Sequence, residues 1–539
     1  MRSATARQRF IFRLTLAGAV AVLGAAAPLA GQEHVHPEGD AEALGKVSFP
    51  VSCAAPAAAE FERGVAMLHS FWFEAAATTF QHAAELDPAC AMAQWGLAMT
   101  LMGNPMTRQP PSEEHLREGS AAAESARALA AKASHREQMY IDAVTAYYGN
   151  EAADHASRMK AHEAALAALQ QAHGDDPEAT IFLARAMVAN APPSDLTFAK
   201  QLAGAELMQP LFAKSPEHPG LAHYLIHAYD APALAERGSK AAFAYAEIAP
   251  SAPHALHMPS HIFTRLGYWD ESIEANARSA RAEPDSNAAV HPLDYMVYAF
   301  LQQGRDAEAK RVVDRAVSHA DRFYGGIIGY NFAAMPARHA LEREDWAAAA
   351  ALAVPDDAPP FARAVTRFAR AIGAARSGAL DAAEAEVAAL RAVEDELRNQ
   401  SDSYWTTVVQ AQRTAAEAWI AQGRGDAAEA TRLARAAADL EETVEKHPVT
   451  PGPLLPAREL EGDLLLALER PAEALAAYEQ TLKREPRRAR ALYGAARSAE
   501  AAGQADAARA HYAALLDVMS KADAGRPQVA DAKRFLAAH

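Results

Sequence analysis

Hydrophobic positions along the chain recur at helical spacing, and few segments alternate apolar and polar residues over the length of a strand. At about 100° per residue, one apolar stripe lies on a single helix face. It consists of Ala222, Leu225, Ile226 and Tyr229. Alanine fills many such positions, in runs such as 347–351, and alanine is the best helix former. The pattern predicts an all-α protein.

The helical segments repeat. Pro219 and Pro253 lie 34 residues apart, and other prolines close segments that read helix, short turn, helix. Small residues, an aromatic residue and a closing proline recur in the same places: Gly64, Ala76, Phe80, Ala83 and Pro88 after Ala57; Gly462, Ala474, Tyr478 and Pro486 after Leu455; Ala496, Gly503, Ala508 and Tyr512 in the next unit; Gly267 and Pro284 after Pro253. Small residues let two helices approach closely, and such units bury their apolar faces against their neighbours.

These positions resemble the tetratricopeptide repeat. The resemblance implies a superhelical solenoid of helix-turn-helix units that covers most of the chain from Ala57 to about Ala514. Segments that break the register indicate an inserted loop at 104–111, a break at Tyr324–Gly329, and linkers at 354–360 and 447–456, the last an exposed hinge. The predicted organisation is a signal peptide at 1–31, a disordered segment at 32–52, a central array at 53–353, further helical repeats at 361–446, and a C-terminal repeat pair with its tail at 455–539.

The N-terminus has the pattern of a secretory signal. A basic stretch ends at Arg13, an apolar run extends from Leu14 to about Ala27, and small residues follow near Gly31. The run is shorter than the roughly 20 residues of a membrane-spanning helix, although an uncleaved anchor is the alternative. We therefore expect an exported protein, periplasmic or secreted, with no membrane association beyond export.

Charge and cysteines add two expectations. The formal net charge of −16 argues against a nucleic-acid partner. The repeat phase places Cys53 and Cys90 just before the first helices (A helices) of two successive repeats. The starts of these two helices lie side by side. In an exported chain the two cysteines are therefore either a disulfide or two buried thiols.

Histidines occupy equivalent places in three consecutive units that start at Pro219, Pro253 and Asn287. The fifth positions are His223, His257 and His291, the ninth positions are His227, His261 and Tyr295, and His254 takes the second position of the middle unit. These positions centre about 130° from the apolar stripe. In the tetratricopeptide family, which this region resembles, they line the concave groove. The predicted arrangement is a cluster of His223, His227, His257 and His261, with His254 and His291 at its edge.

Histidine pairs at i, i+4 can converge on one ion, and imidazoles without thiolates suit zinc or copper. Two alternatives remain: a histidine-lined groove for a peptide or small molecule, and structural histidines. Lesser candidates are Asp230 and Asp294 as ligands or their partners, and Met258 and Met296 as copper ligands or core residues. His34 and His36 are expected to be incidental, and His69 and His82 need no function in the first repeat.

Two functions follow. The first is an interaction module whose groove takes a peptide or protein partner, because most tetratricopeptide arrays are binders. The alternative is a metal-dependent enzyme, which needs an open coordination position beside a base. No carboxylate can be named as that base, and no phosphate loop, nucleophile elbow or His-Glu-x-x-His motif is present. Whether the chain is an enzyme therefore stays open, with no catalytic residue assigned.

Overall fold

The described part of the chain is helical throughout. The structure is a computed structural model that describes residues 42–149, 153–284, 289–318 and 326–539, and these contain α-helices, two 3₁₀ turns and no strand. The prediction of an all-α protein is confirmed. The predicted signal peptide, His34, His36, Asn287 and Tyr324 lie outside the described residues. Within them, no helix is both long and apolar enough to cross a membrane.

Helices follow one another with short connections, and residues 43–539 form one compact unit. The helices are α1 (Ala55–His69), α2 (Phe73–Leu86), α3 (Ala91–Leu101), α4 (Glu113–Leu129), α5 (His135–Tyr148), α6 (His155–Ala172), α7 (Pro177–Ala189), α8 (Ala199–Lys214), α9 (Pro219–Tyr229), α10 (Ala235–Ile248), α11 (Pro253–His257), α12 (Pro259–Leu266), α13 (Trp269–Ala282), α14 (Val290–Gln302), α15 (Asp306–Val317), α16 (Gly329–Glu342), α17 (Trp346–Ala350), α18 (Pro360–Arg376), α19 (Leu380–Asn399), α20 (Ser403–Gly423), α21 (Ala427–Glu441), α22 (Ala457–Ala467), α23 (Pro471–Arg484), α24 (Ala489–Ala501), α25 (Ala505–Val518) and α26 (Pro527–Ala538). The 3₁₀ turns are Pro105–Thr107 and Ala130–Lys132.

An aromatic ring between two glycines joins each well-matched repeat to the next. Phe80 of α2 is fully buried, and its ring lies against Gly64 of α1 and Gly96 of α3. A Cβ atom at Gly64 would lie 2.7 Å from the Phe80 ring, and one at Gly96 would overlap it. The small residues that the sequence places at the helix contacts are therefore needed for close approach.

The C-terminal repeat uses the same contact, which gives a test of the packing. Tyr478 of α23 lies between Gly462 and Gly494, and a Cβ atom at Gly494 would overlap its ring. We expect Gly494→Ala to lower the free energy of unfolding by about 1–3 kcal/mol, the usual cost of overpacking. Chemical denaturation measures the change. Gly174→Ala is the control, because its Cβ atom would lie 3.6 Å from the nearest neighbour, the carbonyl oxygen of Gln170. Equal stability of Gly494→Ala and wild type would contradict this packing.

The two cysteines form a disulfide. Cys53 precedes α1, Cys90 precedes α3, and their Cα atoms lie 5.0 Å apart. The prediction of a Cys53–Cys90 bridge is confirmed, and the alternative of two buried thiols is wrong. The bridge links the starts of two successive A helices, and cross-links of this kind typically stabilise a fold by about 2–4 kcal/mol.

Residues 43–52 lie outside the helices and pack against the repeats. Phe49 is fully buried among the rings of α1, α3 and α5, and its amide donates to Glu62. The Lys46 amide donates to the Glu217 carbonyl, which Gly45 approaches too closely for a side chain. The predicted disordered segment is therefore wrong for this part. The Phe49 ring and the backbone hydrogen bonds hold this segment against the repeats.

The segment 447–456 is buried, so the prediction of an exposed hinge is wrong. His447, Val449 and Leu454 are all buried. Its prolines lack donors, but the carbonyl groups find side-chain partners: Arg338 donates to the carbonyls of Gly452 and Pro453, and Asn331 to that of Val449. These hydrogen bonds hold the segment 447–456 in the interior of the compact unit.

His447 makes the packing of the segment 447–456 sensitive to acid. Its Nε2 donates to the Thr107 carbonyl while its Nδ1 accepts from the Val449 amide, so only the neutral ring fits. Burial lowers the pKa of His447 to about 3. Because the unfolded value is about 6.5, its contribution is complete above pH 6.5 and is lost as the pH falls towards about 3.

We therefore expect His447→Gln to weaken the loss of stability in acid. The free-energy difference between wild type and variant is expected to shift in the variant's favour by up to about 1.4 kcal/mol per pH unit below about 6.5. Denaturation curves across this range measure the shift. His82→Gln, which removes a half-exposed histidine, is the control. Parallel curves for wild type and His447→Gln would contradict this role.

Candidate metal centre

Four helices bring the six predicted histidines together, as two groups of three. Helix α9 carries His223 and His227, α11 carries His254 and His257, α12 carries His261, and α14 carries His291. The first triad is His223, His227 and His254, and the second triad is His257, His261 and His291. In each triad one ligand atom per residue lies within 4.8 Å of the others. His254 and His291, predicted at the edge of one cluster, instead complete one triad each.

The first triad converges through its Nε2 atoms. His223 Nε2 lies 3.1 Å from His227 Nε2 and 3.2 Å from His254 Nε2. The ring of Phe71 lies near all three imidazole rings, at centroid distances of 4.4 to 6.0 Å. Phe71 occupies the turn after α1 in the left-handed region, with φ of 53°, which is unfavourable for a side chain other than glycine. The contacts of the Phe71 ring with the three imidazoles compensate for this strain, and the ring covers one side of the triad.

The second triad spans an interrupted helix. Pro259 separates α11 from α12, because proline lacks the donor and clashes with the preceding turn. The break at Met258 lies between the two histidines of this segment. Across it, His257 Nε2 and His261 Nε2 approach to 3.0 Å, and the His257 and His291 rings lie 4.4 Å apart.

Oxygen acceptors fix the proton of two rings on Nδ1. His223 Nδ1 lies 2.6 Å from the His69 carbonyl oxygen, and His257 Nδ1 lies 2.6 Å from Asn276 Oδ1. The Asn276 amide is oriented by its own nitrogen, which donates to the Ser272 carbonyl. Because these oxygens only accept, each Nδ1 carries the proton and each Nε2 presents a free lone pair.

His261 follows the same pattern with a carboxylate. Its Nδ1 lies 2.8 Å from Asp230 Oδ2, and Arg265 and Lys446 donate to the same carboxylate at 2.9 and 3.0 Å. Burial opposes ionisation of Asp230, but Lys446 and Arg265 outweigh it and hold its pKa well below the usual value. Asp230 is therefore an ionised partner of His261. Such carboxylate–histidine pairs orient metal-binding imidazoles.

The free lone pairs face one another. His257 Nε2 and His261 Nε2 both lack a proton, so their 3.0 Å contact is repulsive without a cation between them. His223 Nε2 has a single lone pair but two neighbouring imidazole nitrogens. Ligands at 2.0–2.1 Å around a tetrahedral zinc ion lie about 3.3 Å from one another, close to the spacings found here. The geometry is that of a ligand shell.

All six rings are held in the neutral form, which is the form that binds metal ions. Burial is the main cause that lowers each pKa, and neighbouring imidazoles lower most of them further. The Asp230 carboxylate acts against this at His261 without reversing it. His291 Nδ1 is buried without a hydrogen-bond partner. The neutral form of the six rings therefore agrees with the ligand-like spacing of their nitrogens.

Five of the six histidines border a cavity. His223, His257 and His261 are buried, whereas the resemblance placed them on the concave groove of the repeats. A cavity of about 180 Å³ is bordered by the other two histidines of the first triad and by the whole second triad. Its remaining wall is mostly apolar: Met106, Pro253, Met258, Pro292, Ile327, Ile328, Pro448 and Val449. The covering comes from the segment 447–456 and from the 3₁₀ turn after α3.

A third cluster escaped the sequence analysis. His69 Nε2 and His218 Nε2 lie 2.9 and 2.8 Å from the two oxygens of Glu178, and all three residues are buried. The Tyr224 hydroxyl lies 3.0 Å from His69 Nδ1. Here each imidazole donates through Nε2 to a carboxylate oxygen, so both oxygens of Glu178 are bonded without an ion, while His218 Nδ1 is buried without a hydrogen-bond partner. His69 is therefore not an incidental residue of the first repeat: it anchors Glu178, and its carbonyl orients His223.

The lesser candidates lie apart from the triads or beside the cavity. Asp294 is fully buried but pairs with Arg338 and Asn331. It therefore supports the residues that hold the segment 447–456 and not the histidines. Met258 is buried in the core and lines the cavity, and Met296 packs in the core near α15. The side chain of His82 is half exposed, as expected of a residue with no function.

The repeated helix pairs and the glycine–aromatic contacts give the chain the fold of a tetratricopeptide-like helical solenoid. Residues 460–528, within the predicted C-terminal repeat pair, match the family model described as the tetratricopeptide repeat. Comparison with curated protein sequences yields no match.

Solved structures with a related course of helices include yeast Tom70 and human IFIT1. The Tom70 crystal structure is 12% identical, with a TM-score of 0.34 and coverage of 90% of this chain and 95% of that chain. The human IFIT1 dimer with PPP-AAAA is 11% identical, with a TM-score of 0.37 and coverage of 84% and 89%. At scores this low, the likeness carries no argument about a site or a function.

Proposed function

We propose that this chain is a metal-binding tetratricopeptide-repeat protein in which each histidine triad holds one late first-row transition ion. The observation that carries the proposal is the contact between His257 Nε2 and His261 Nε2, two proton-free nitrogens 3.0 Å apart. Oxygen partners on the far side of His223, His257 and His261 fix the rings in the binding orientation.

Three neutral imidazoles and no thiolate in each triad suit zinc or copper and not magnesium or calcium, which prefer oxygen ligands. Among the described residues each triad has three protein ligands, the number typical of sites that keep a position open for an exogenous group. The scaffold itself is that of a protein-binding module. A peptide or protein partner is therefore proposed for its surface and not for the buried histidines.

Export is part of the same proposal. A disulfide persists in oxidising compartments and is rare in the cytosol, so the Cys53–Cys90 bridge supports a periplasmic or secreted protein. The basic and apolar pattern of 1–31 supports it too. Mass spectrometry of the protein recovered outside the cytoplasm tests this: we expect a mature N-terminus close to residue 32 and two cysteines that resist alkylation until reduced.

Elemental analysis tests the metal proposal. Full-length protein without a histidine tag is dialysed against zinc or copper and then against metal-free buffer. We expect one ion per triad to remain, and His218→Gln, which alters only the third cluster, to retain the same amount. Protein that keeps no zinc and no copper would overturn the proposed function.

A further inference from the structure

We infer that the two triads form one dinuclear copper centre, whose paired ions together bind a molecule of dioxygen in the cavity between them. This inference rests on the proposed function and goes further in three respects: the ions act as a pair, the metal is copper, and the exogenous ligand is dioxygen. Position, charge and access each support one of these steps.

The triads are neighbours. The ring of His227 in the first triad lies 6.0 Å from that of His261 in the second, and His254 lies 5.9 Å from His257. His254 and His257 share one helical turn, so the same short helix supplies a ligand to each triad. Both triads also border the same cavity. Paired ions in dinuclear protein sites lie about 3.5–4 Å apart, and ligand rings in contact bring two ions towards that range.

The charges around the centre favour copper in its monovalent state. The six ligands are neutral, and among the residues that the structure describes no aspartate or glutamate borders the cavity. The nearest carboxylate, Asp230, is already balanced by Arg265 and Lys446. Glu445 beside it is paired with Arg265. The described lining of the cavity therefore offers no negative group to offset a pair of buried cations. Two divalent ions repel one another four times as strongly as two monovalent ions at the same distance. Of the ions that imidazole binds well, copper has a monovalent state.

The cavity gives a small apolar molecule access to both ions. Its volume of about 180 Å³ is well above the ~30 Å³ that one water takes in the liquid. The wall opposite the histidines is formed largely by proline, methionine and branched aliphatic side chains. A neutral diatomic ligand enters such a space without the desolvation cost of a charged one.

The chemistry balances with dioxygen as the only co-reactant. Each copper(I) ion gives one electron to dioxygen, whose π bond breaks while one copper–oxygen bond forms to each ion. The products are two copper(II) ions and one bound peroxide dianion, and no proton is taken up. The dianion supplies the negative charge that the protein ligands lack.

Dioxygen uptake and electron paramagnetic resonance test the pair. Full-length protein is loaded with copper(I) without oxygen, freed of excess metal, analysed for copper and then exposed to dioxygen. We expect two copper ions per chain, uptake of one dioxygen per two ions, and a copper(II) resonance far weaker than the copper content, because bridged copper(II) spins cancel. A resonance that accounts for all the copper would overturn the pair while leaving the proposed function intact.

Variants with a single triad supply the control. His291→Ala is expected to keep the copper of the first triad and His254→Ala that of the second, each with a full copper(II) resonance after oxidation and a loss of paired uptake. Helical content by circular dichroism shows that the variants fold. If wild type and both variants have the same resonance per copper, the ions are independent. If wild type retains no copper at all, the proposed function fails first.

Discussion

The double variant His227→Ala, His257→Ala is expected to lose both bound ions while it keeps its helical content. Each substitution removes one imidazole from one triad, which leaves two ligands where three converged. We expect the affinity for zinc or copper to fall by more than the roughly 10–100-fold that is typical of losing a hydrogen-bond partner behind a ligand. Titration against a chelator of known affinity measures the loss, and circular dichroism measures the helices.

Loss of metal from an unfolded protein would be trivial, so a matched control is needed. His69→Gln, His218→Gln changes two buried histidines of the third cluster, whose Nε2 atoms bond to Glu178 and not to the triads. This control removes two imidazoles, as the triad variant does, and is expected to keep its metal. A control that loses metal as completely as the triad variant would contradict the assignment of binding to the triads.

Asn276→Ala is expected to weaken metal binding without touching a ligand. The Asn276 side chain accepts the Nδ1 proton of His257 at 2.6 Å and thereby directs Nε2 into the second triad. Without that acceptor the ring loses its preferred tautomer and orientation, and we expect the affinity of the second triad to fall about 10–100-fold. Titration of the His254→Ala background isolates that triad.

Ser260→Ala is the control for Asn276. Its hydroxyl donates to the same Asn276 oxygen at 3.2 Å, and it lies 3.5 Å from His257 Nδ1, farther than the 2.6 Å of the Asn276 oxygen. The affinity of Ser260→Ala is expected to stay close to that of wild type. If Asn276→Ala binds metal as tightly as Ser260→Ala, the hydrogen bond behind His257 does not position it.

Local patterns were enough to predict the repeats. The glycine and aromatic positions of the first and last units follow from contacts between neighbouring helices, so a fixed spacing in the sequence reports them. Gly64 and Phe80 are 16 residues apart, as are Gly462 and Tyr478. The histidine positions were found for the same reason, since phase within a 34-residue period places His223 and His257 alike.

Contacts between distant segments were not predictable in this way. Lys446 reaches Asp230 from 216 residues away, and His447 reaches Thr107 from 340 residues away. No period in the sequence relates these residues, so the cover over the histidines and the burial of 447–456 remained hidden. The third cluster also joins helices α1 and α7 through His69 and Glu178, which share no repeat position.

Fine geometry within the site was also beyond the sequence. The phase of the repeats places six histidines near one another, but it does not divide them into two triads. That division depends on side-chain direction: His254 approaches His223 of α9, whereas His257 of the same short helix approaches His261. Asn276 carries no signal of its own, because a polar residue on the second helix of a repeat is ordinarily exposed.

Anomalous diffraction from crystals of copper-loaded protein, collected on both sides of the copper absorption edge, tests the central claim most directly. We predict two peaks per chain, each about 2.0–2.1 Å from the Nε2 atoms of one triad. The third cluster of His69, Glu178 and His218 is expected to show none. Peaks absent from both triads, or found only at the third cluster, would contradict the claim that the triads bind metal.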